Sequence, residues 1–130
     1  MVLDCEFASY TLSVLARNAG FDEDVSHVYE RNLSACRYED VPKPTLSNLC
    51  RWVRTHHRLS IEPYACGCGF SWQLSDLHGT TLTDCVNHDR EGTNEGGVFN
   101  TYEQAQADAL LFFFTHIDKS CYFSPKLRNL

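Results

Sequence analysis

The sequence predicts a two-layer α+β fold, with an antiparallel sheet of three to four strands packed against helices in the order α–α–β–β–β–α. Three observations lead there. Apolar residues recur at helical spacing in three separate stretches, near residues 9–18, 46–57 and 101–116. Between the second and third the period drops to two, so residues 60–86 alternate apolar and polar. Short turns join these alternating runs, which makes neighbouring strands antiparallel. The 130 residues, 43% hydrophobic and 22% charged, suit one ordered domain spanning 1–130 rather than a disordered chain.

The first helix is expected over residues 9–18. The Ser9 hydroxyl can accept from an unpaired N–H of the first turn. Ala8, Leu12, Leu15, Ala16 and Ala19 form one apolar stripe. Gly20 stops the helix, and Phe21 can fold back onto the stripe. Residues 22–44 read as a long irregular connection anchored by Tyr29, Leu33 and Tyr38. The second helix runs from Leu46 to His57 with Thr45 as N-cap, and buries Leu46, Leu49, Cys50, Val53 and His57. Arg51, Arg54 and Arg58 lie on a neighbouring face. They either complement the negative end of the helix dipole or offer a contact for a phosphate or carboxylate.

Residues 60–66 form the first strand, where Pro63 signals an edge or a bulge. Phe70, Trp72 and Leu74 alternate with Ser71, Gln73 and Ser75 in the second. Residues 80–86 return as the third, 87–97 form a polar loop, and Val98 and Phe99 can add a short last strand. The third helix opens at Thr101, which with Gln104 fits a capping box. Its run ADALLFFF is apolar nearly all round. Ala105, Ala109, Phe112, Phe113 and His116 share one face, whereas Leu110, Leu111 and Phe114 point elsewhere. Those three residues are covered either by the chain's own residues 119–130 and loop, or by a second copy or partner.

Composition excludes several function classes. The longest apolar run, residues 109–114, is far short of the roughly 20 residues needed to span a bilayer. The first ten residues lack the basic and apolar regions of a secretory signal, so the protein is expected in the cytoplasm with its thiols mostly reduced. Of the seven cysteines, Cys5, Cys36, Cys50 and Cys121 read as small buried hydrophobes. Residues 59–118 carry nine acids and a single base, Arg90. Such a segment repels nucleic acid; it is either an ordinary solvated acidic surface or a face that meets a cationic partner surface. For a partner the contact candidates are Asp84, Asp89, Glu91 and Glu95, with Arg51, Arg54 and Arg58 on the basic side.

Local chemistry is sparse. Cys66-x-Cys68 with Cys85-x-x-His88 supplies two close pairs of zinc-type ligands, so a zinc-stabilised interaction module is one reading. Plain thiols beside two turn glycines, Gly67 and Gly69, are the other, and a redox role for the C-x-C pair is a third. No glycine-rich phosphate loop or cysteine–histidine signature is present. The chain is therefore expected not to be an enzyme and to need no cofactor besides that zinc. A small-ligand or nucleotide-binding role remains a further alternative.

Four stretches, FASYTLSVLARNAGFDE, PTLSNLCRWVRTHHRLSIEPY, FSWQLSDLHGT and FNTYEQAQADAL, occur in this order. Together they resemble a group of small uncharacterised proteins encoded by phages and mobile elements of gut-type anaerobic bacteria. The pattern is met at Gly20, Phe21, Asp22, Pro44, Thr45, Trp52, Arg54, Thr101, Tyr102, Glu103 and Ala105. It is departed from at Val53, at Gln104 and in Cys66-Gly67-Cys68-Gly69. The resemblance implies an accessory protein in the cytoplasm of a bacterial host. Such a protein would bind a protein partner stoichiometrically, in the manner of an inhibitor of a host defence nuclease such as an anti-CRISPR protein.

Overall fold

The computed structural model describes residues 4–25, 27–29, 41–84 and 98–117. A 3₁₀ turn (Asp4–Glu6) leads into α1 (Tyr10–Asn18). The short strands β1 (Val28–Tyr29) and β2 (Val41–Pro42) pair antiparallel. Then come α2 (Leu46–His57), β3 (Leu59–Cys66), β4 (Gly69–Asp76), β5 (Thr81–Asp84) and α3 (Tyr102–His116). The architecture is α+β, with a three-stranded antiparallel sheet ordered β3-β4-β5. Pro63 sits on edge strand β3, where a missing N–H costs no ladder bond. The irregularity lies elsewhere, as a register shift at Leu74/Ser75 against β5.

The helix boundaries follow from their caps. Ser9 Oγ accepts from the Leu12 N–H at 3.1 Å. Thr45 Oγ1 accepts from Asn48 N–H at 3.0 Å, and Asn48 Oδ1 accepts from Thr45 N–H at 3.1 Å, closing a reciprocal box. Thr45→Ala is expected to cost about 1 kcal/mol, read as a shift in urea midpoint at unchanged slope. Thr101 caps α3 by accepting from Gln104 N–H. The return bond differs from the capping-box expectation: Gln104 Oε1 takes the N–H of Asn100, one residue earlier.

All three helices feed one core. Leu59, Ile61, Trp72 and Leu74 of the sheet meet Leu12 and Ala16 of α1, Leu49, Trp52 and Val53 of α2, and Ala105, Ala109, Leu110, Phe112, Phe113 and Phe114 of α3. α3 packs against β3, β4, α1 and α2, which explains why its sequence is apolar nearly all round. Of the two ways left open for covering Leu110, Leu111 and Phe114, cover within the chain holds for Leu110 and Phe114. Leu110 is fully buried and Phe114 is 5% exposed, stacked on Trp52 at 6.1 Å, so only Leu111 of the three is partly open. The chain's own α2 and core cover Phe114.

Other expectations are also amended. The connection 22–44 is not wholly irregular, since Val28↔Pro42 and Tyr29↔Val41 are paired. Cys5 is exposed rather than buried, while Cys50 is buried with its thiol pushed up to about 11 by desolvation. Arg58 lies beyond the last turn of α2 in the left-handed region, at φ 56°. It turns the chain into β3 and so leaves the helical stripe formed with Arg51 and Arg54. Val98–Phe99 do not form a strand; Phe99 makes a single antiparallel bridge to Phe70, through two 2.8 Å backbone bonds. Leu33, Cys36, Tyr38, Cys121, the 87–97 loop and residues 119–130 lie outside the described residues.

The end of α2 holds an aromatic–histidine cluster. His57 lies 5.1 Å from both Trp52 and Phe113, and His56 lies 5.0 Å from Trp52. Burial, then the neighbouring His56, lowers the His57 pKa below its ordinary 6.5. The folded chain therefore holds this proton less well than the unfolded chain does. Its stabilising contribution is complete above pH 6.5 and is lost as pH falls from there toward the folded pKa. Thermal melts at pH 7.5 and 5.5 should show the wild type losing more stability on acidification than His57→Phe.

Candidate functional site

Alternation in β3 and β4 divides the sheet into two unlike faces. One carries Leu59, Ile61, Trp72 and Leu74 into the core. The other carries Ser60, Glu62 and Tyr64 from β3, Ser71, Gln73 and Ser75 from β4, and Asp84 from β5. None of the residues in the core cluster comes from this second face.

The register places Glu62 opposite Gln73, and Gln73 opposite Asp84. The three side chains thus form a row across the sheet, with the carboxylate-bearing residues two strand spacings, roughly 10 Å, apart. Glu62 is the fixed point of the row. Its Oε1 accepts from Ser75 Oγ at 2.5 Å and from Gln73 Nε2 at 3.1 Å, and its Oε2 accepts from Ser60 Oγ at 3.2 Å. Partial burial alone would push this carboxyl up. The three donors outweigh it and hold the group below the usual carboxylate range, so it is ionised at neutral pH. Tyr64, 40% exposed, stands on the same face. No lysine or arginine occurs between residues 59 and 84. The result is a polar, anionic face, with Ser71 and Ser75 buried within it, whose Glu62 charge on the edge strand is already oriented.

The sequence-derived candidates separate on this frame. Asp84 belongs to the row, whereas Asp89, Glu91 and Glu95 lie outside the described residues. Arg51 is engaged: its guanidinium holds Glu23 at 2.8 Å, joining α2 to the connection after α1. Arg54 and Arg58 are exposed. Glu62 was not among the candidates, although the alternation Ser71-x-Gln73-x-Ser75 marks a polar strand face on which an acid from the partner strand would find donors.

Cys66 and Cys68 are exposed at the β3–β4 hairpin. The two-residue loop Gly67–Cys68 has positive φ (60°) only at its first position, the pattern of a II′ turn. Cys85 and His88 lie outside the described residues. The last described residue before them, Asp84, pairs with Gln73, four positions along β4 from the Gly69 that faces Cys66. That is about 13 Å along the strand. The edge of β4 at Phe70 is already taken by Phe99. Among the described residues no group of three or more His, Cys, Asp or Glu is placed to hold a metal ion.

A second feature lies on the helical side. A trough of about 350 Å³ between the start of α1 and the side of α3 is lined by Ser9, Thr11, Leu12, Phe99, Gln104, Ala107, Asp108 and Leu111. An adjoining hollow of about 400 Å³ shares Ser9, Gln104 and Ala107, and adds Cys5, Phe7, Leu46, Thr101 and Glu103. Asp108 is oriented from behind, since the Trp72 Nε1–H donates to its Oδ2 at 2.8 Å.

No protein-family model, no curated protein and no solved structure matches the chain. No helix among the described residues is long and apolar enough to cross a membrane.

Proposed function

We propose that the protein acts stoichiometrically by binding a protein partner of basic surface, and that the Glu62–Gln73–Asp84 face of the sheet is the contact. One observation carries this reading: an ionised carboxylate held by three donors on the polar face of the sheet, opposite the face that packs into the hydrophobic core. A charge fixed before association loses little rotamer entropy when it meets a cation. An anionic field also steers a basic partner and rejects acidic ones, nucleic acid included.

The resemblance to mobile-element accessory proteins suggests the kind of partner. A host defence nuclease carries a basic nucleic-acid channel, and an anionic protein surface competes for it. On this reading no bond is made or broken, and inhibition follows occupancy.

Affinity capture from a bacterial host lysate tests the idea. The captured protein should bind one-to-one at low salt and be released as salt rises, because the contact is made by charges at the protein surface that solvent ions can screen. Retention unaffected by salt would point away from this face.

A further inference from the structure

We propose that the Cys66–Gly67–Cys68 tip of the β3–β4 hairpin is a thiol–disulfide exchange site, whose two thiols close into one disulfide by reducing a low-molecular-weight disulfide.

The fold carries this pair to solvent on a fixed stem. The β3–β4 ladder runs from Leu59↔Asp76 to Cys66↔Gly69, so Cys66 is the last paired residue of β3 and Cys68 lies in the two-residue loop. Both cysteines are exposed. Next to the tip, β4 is also held by the bridge from Phe70 to Phe99. Of the other described cysteines, Cys50 is buried with its thiol pushed up to about 11, so its reactive thiolate is scarce. Cys5, exposed on the 3₁₀ turn before α1, has no cysteine two residues away.

The spacing at the tip suits a disulfide. Residues two apart in an extended strand have Cα atoms roughly 7 Å apart. Reversal of the chain at the loop shortens that span, and disulfides usually bridge about 4.4–6.8 Å. The residue between the two cysteines must adjust as the bond forms. Gly67, at φ 60°, occupies the left-handed region that glycine enters without a steric penalty. A Cβ added there would meet no heavy atom within 4 Å among the described residues, so the tip has room to move. A ring closed through one residue is small and exposed, and strained or exposed disulfides are the readily reduced ones. The pair is therefore suited to cycling.

The exchange balances in two steps. The thiolate of one cysteine attacks a sulfur of the small disulfide, forming a mixed disulfide and expelling the other half as a thiolate. The second cysteine's thiolate then attacks the protein-side sulfur, forming the Cys66–Cys68 bond and expelling the remaining half. The small disulfide gains two electrons and the pair loses two. The protons of both cysteines pass through water to the two thiolates released.

The test equilibrates the whole chain with mixtures of reduced and oxidised glutathione, followed by acid quenching, alkylation and mass spectrometry. Chymotryptic cleavage after Tyr64 and Phe70 isolates residues 65–70, which contain these two cysteines and no other. As oxidised glutathione rises, this peptide should pass from doubly alkylated to an unalkylated form lighter by two hydrogens than the dithiol peptide. Excess reduced glutathione should return it. In Cys68→Ser, glutathione on Cys66 should accumulate about tenfold or more above its wild-type level, because the intramolecular step no longer removes it. A wild-type peptide that stays doubly alkylated, that keeps glutathione as its stable product, or that is joined by a disulfide to another peptide would each overturn the proposal. So would Cys68→Ser without the accumulation. No partner protein enters the measurement, so failure here is distinct from failure of the partner-binding reading.

Discussion

Trp72→Ala is expected to cost about 3–5 kcal/mol, the range for emptying a fully buried aromatic site. Trp72 is completely buried in the middle strand, with its ring 5.4 Å from Phe112 of α3. Its Nε1–H reaches Asp108, fixing the height of α3 against the sheet. A domain of this size has about 5–15 kcal/mol in total, so the variant would stand near the edge of folding. A loss of roughly 10 °C or more in Tm checks the prediction. Asp108→Ala separates the two contributions. It keeps the ring packing and leaves the indole N–H without that acceptor, for about 1–3 kcal/mol.

The second large effect concerns binding. Glu62→Gln with Asp84→Lys removes one charge of the row and reverses the other, while the amide oxygen introduced on β3 keeps an acceptor for Ser75 and Gln73. Affinity for a captured partner should fall about tenfold or more. The slope of affinity against salt should flatten, because fewer ion pairs remain to be screened. Thermal stability measured in parallel separates a lost contact from a damaged fold. The combination of unchanged affinity and an unchanged salt slope would count against the face.

Much of the fold was legible because its signals are local and repeated. Thr45 followed by a periodic apolar stripe locates α2 to the residue. The alternation Phe70, Trp72, Leu74 identifies the core face of β4. What was not legible depends on contacts distant in sequence. A two-residue strand has no period, so the β1–β2 ladder leaves no pattern to read. Leu110 and Phe114 were assigned to an outer face because α3 is apolar on every side, and no rule of spacing tells which neighbours a saturated helix will have. The left-handed turn at Arg58 had no glycine to announce it.

The candidate site was legible in part for the same reason. Asp84 was found through the clustering of acids, a bulk property. Glu62 becomes notable only when register sets it beside Gln73 and Ser75, residues eleven and thirteen positions on.

The central claim is that the polar face of the sheet meets a protein partner, and hydroxyl-radical footprinting tests it most directly. Tyr64 on that face and Tyr102 at the start of α3, on the helical side, are similarly exposed, at 40% and 43%. They serve as matched reporters of the two sides. With the captured partner bound, Tyr64 should become protected while Tyr102 labels as in the free chain. Undiminished labelling of Tyr64 in the complex, with or without protection of Tyr102, would contradict the account.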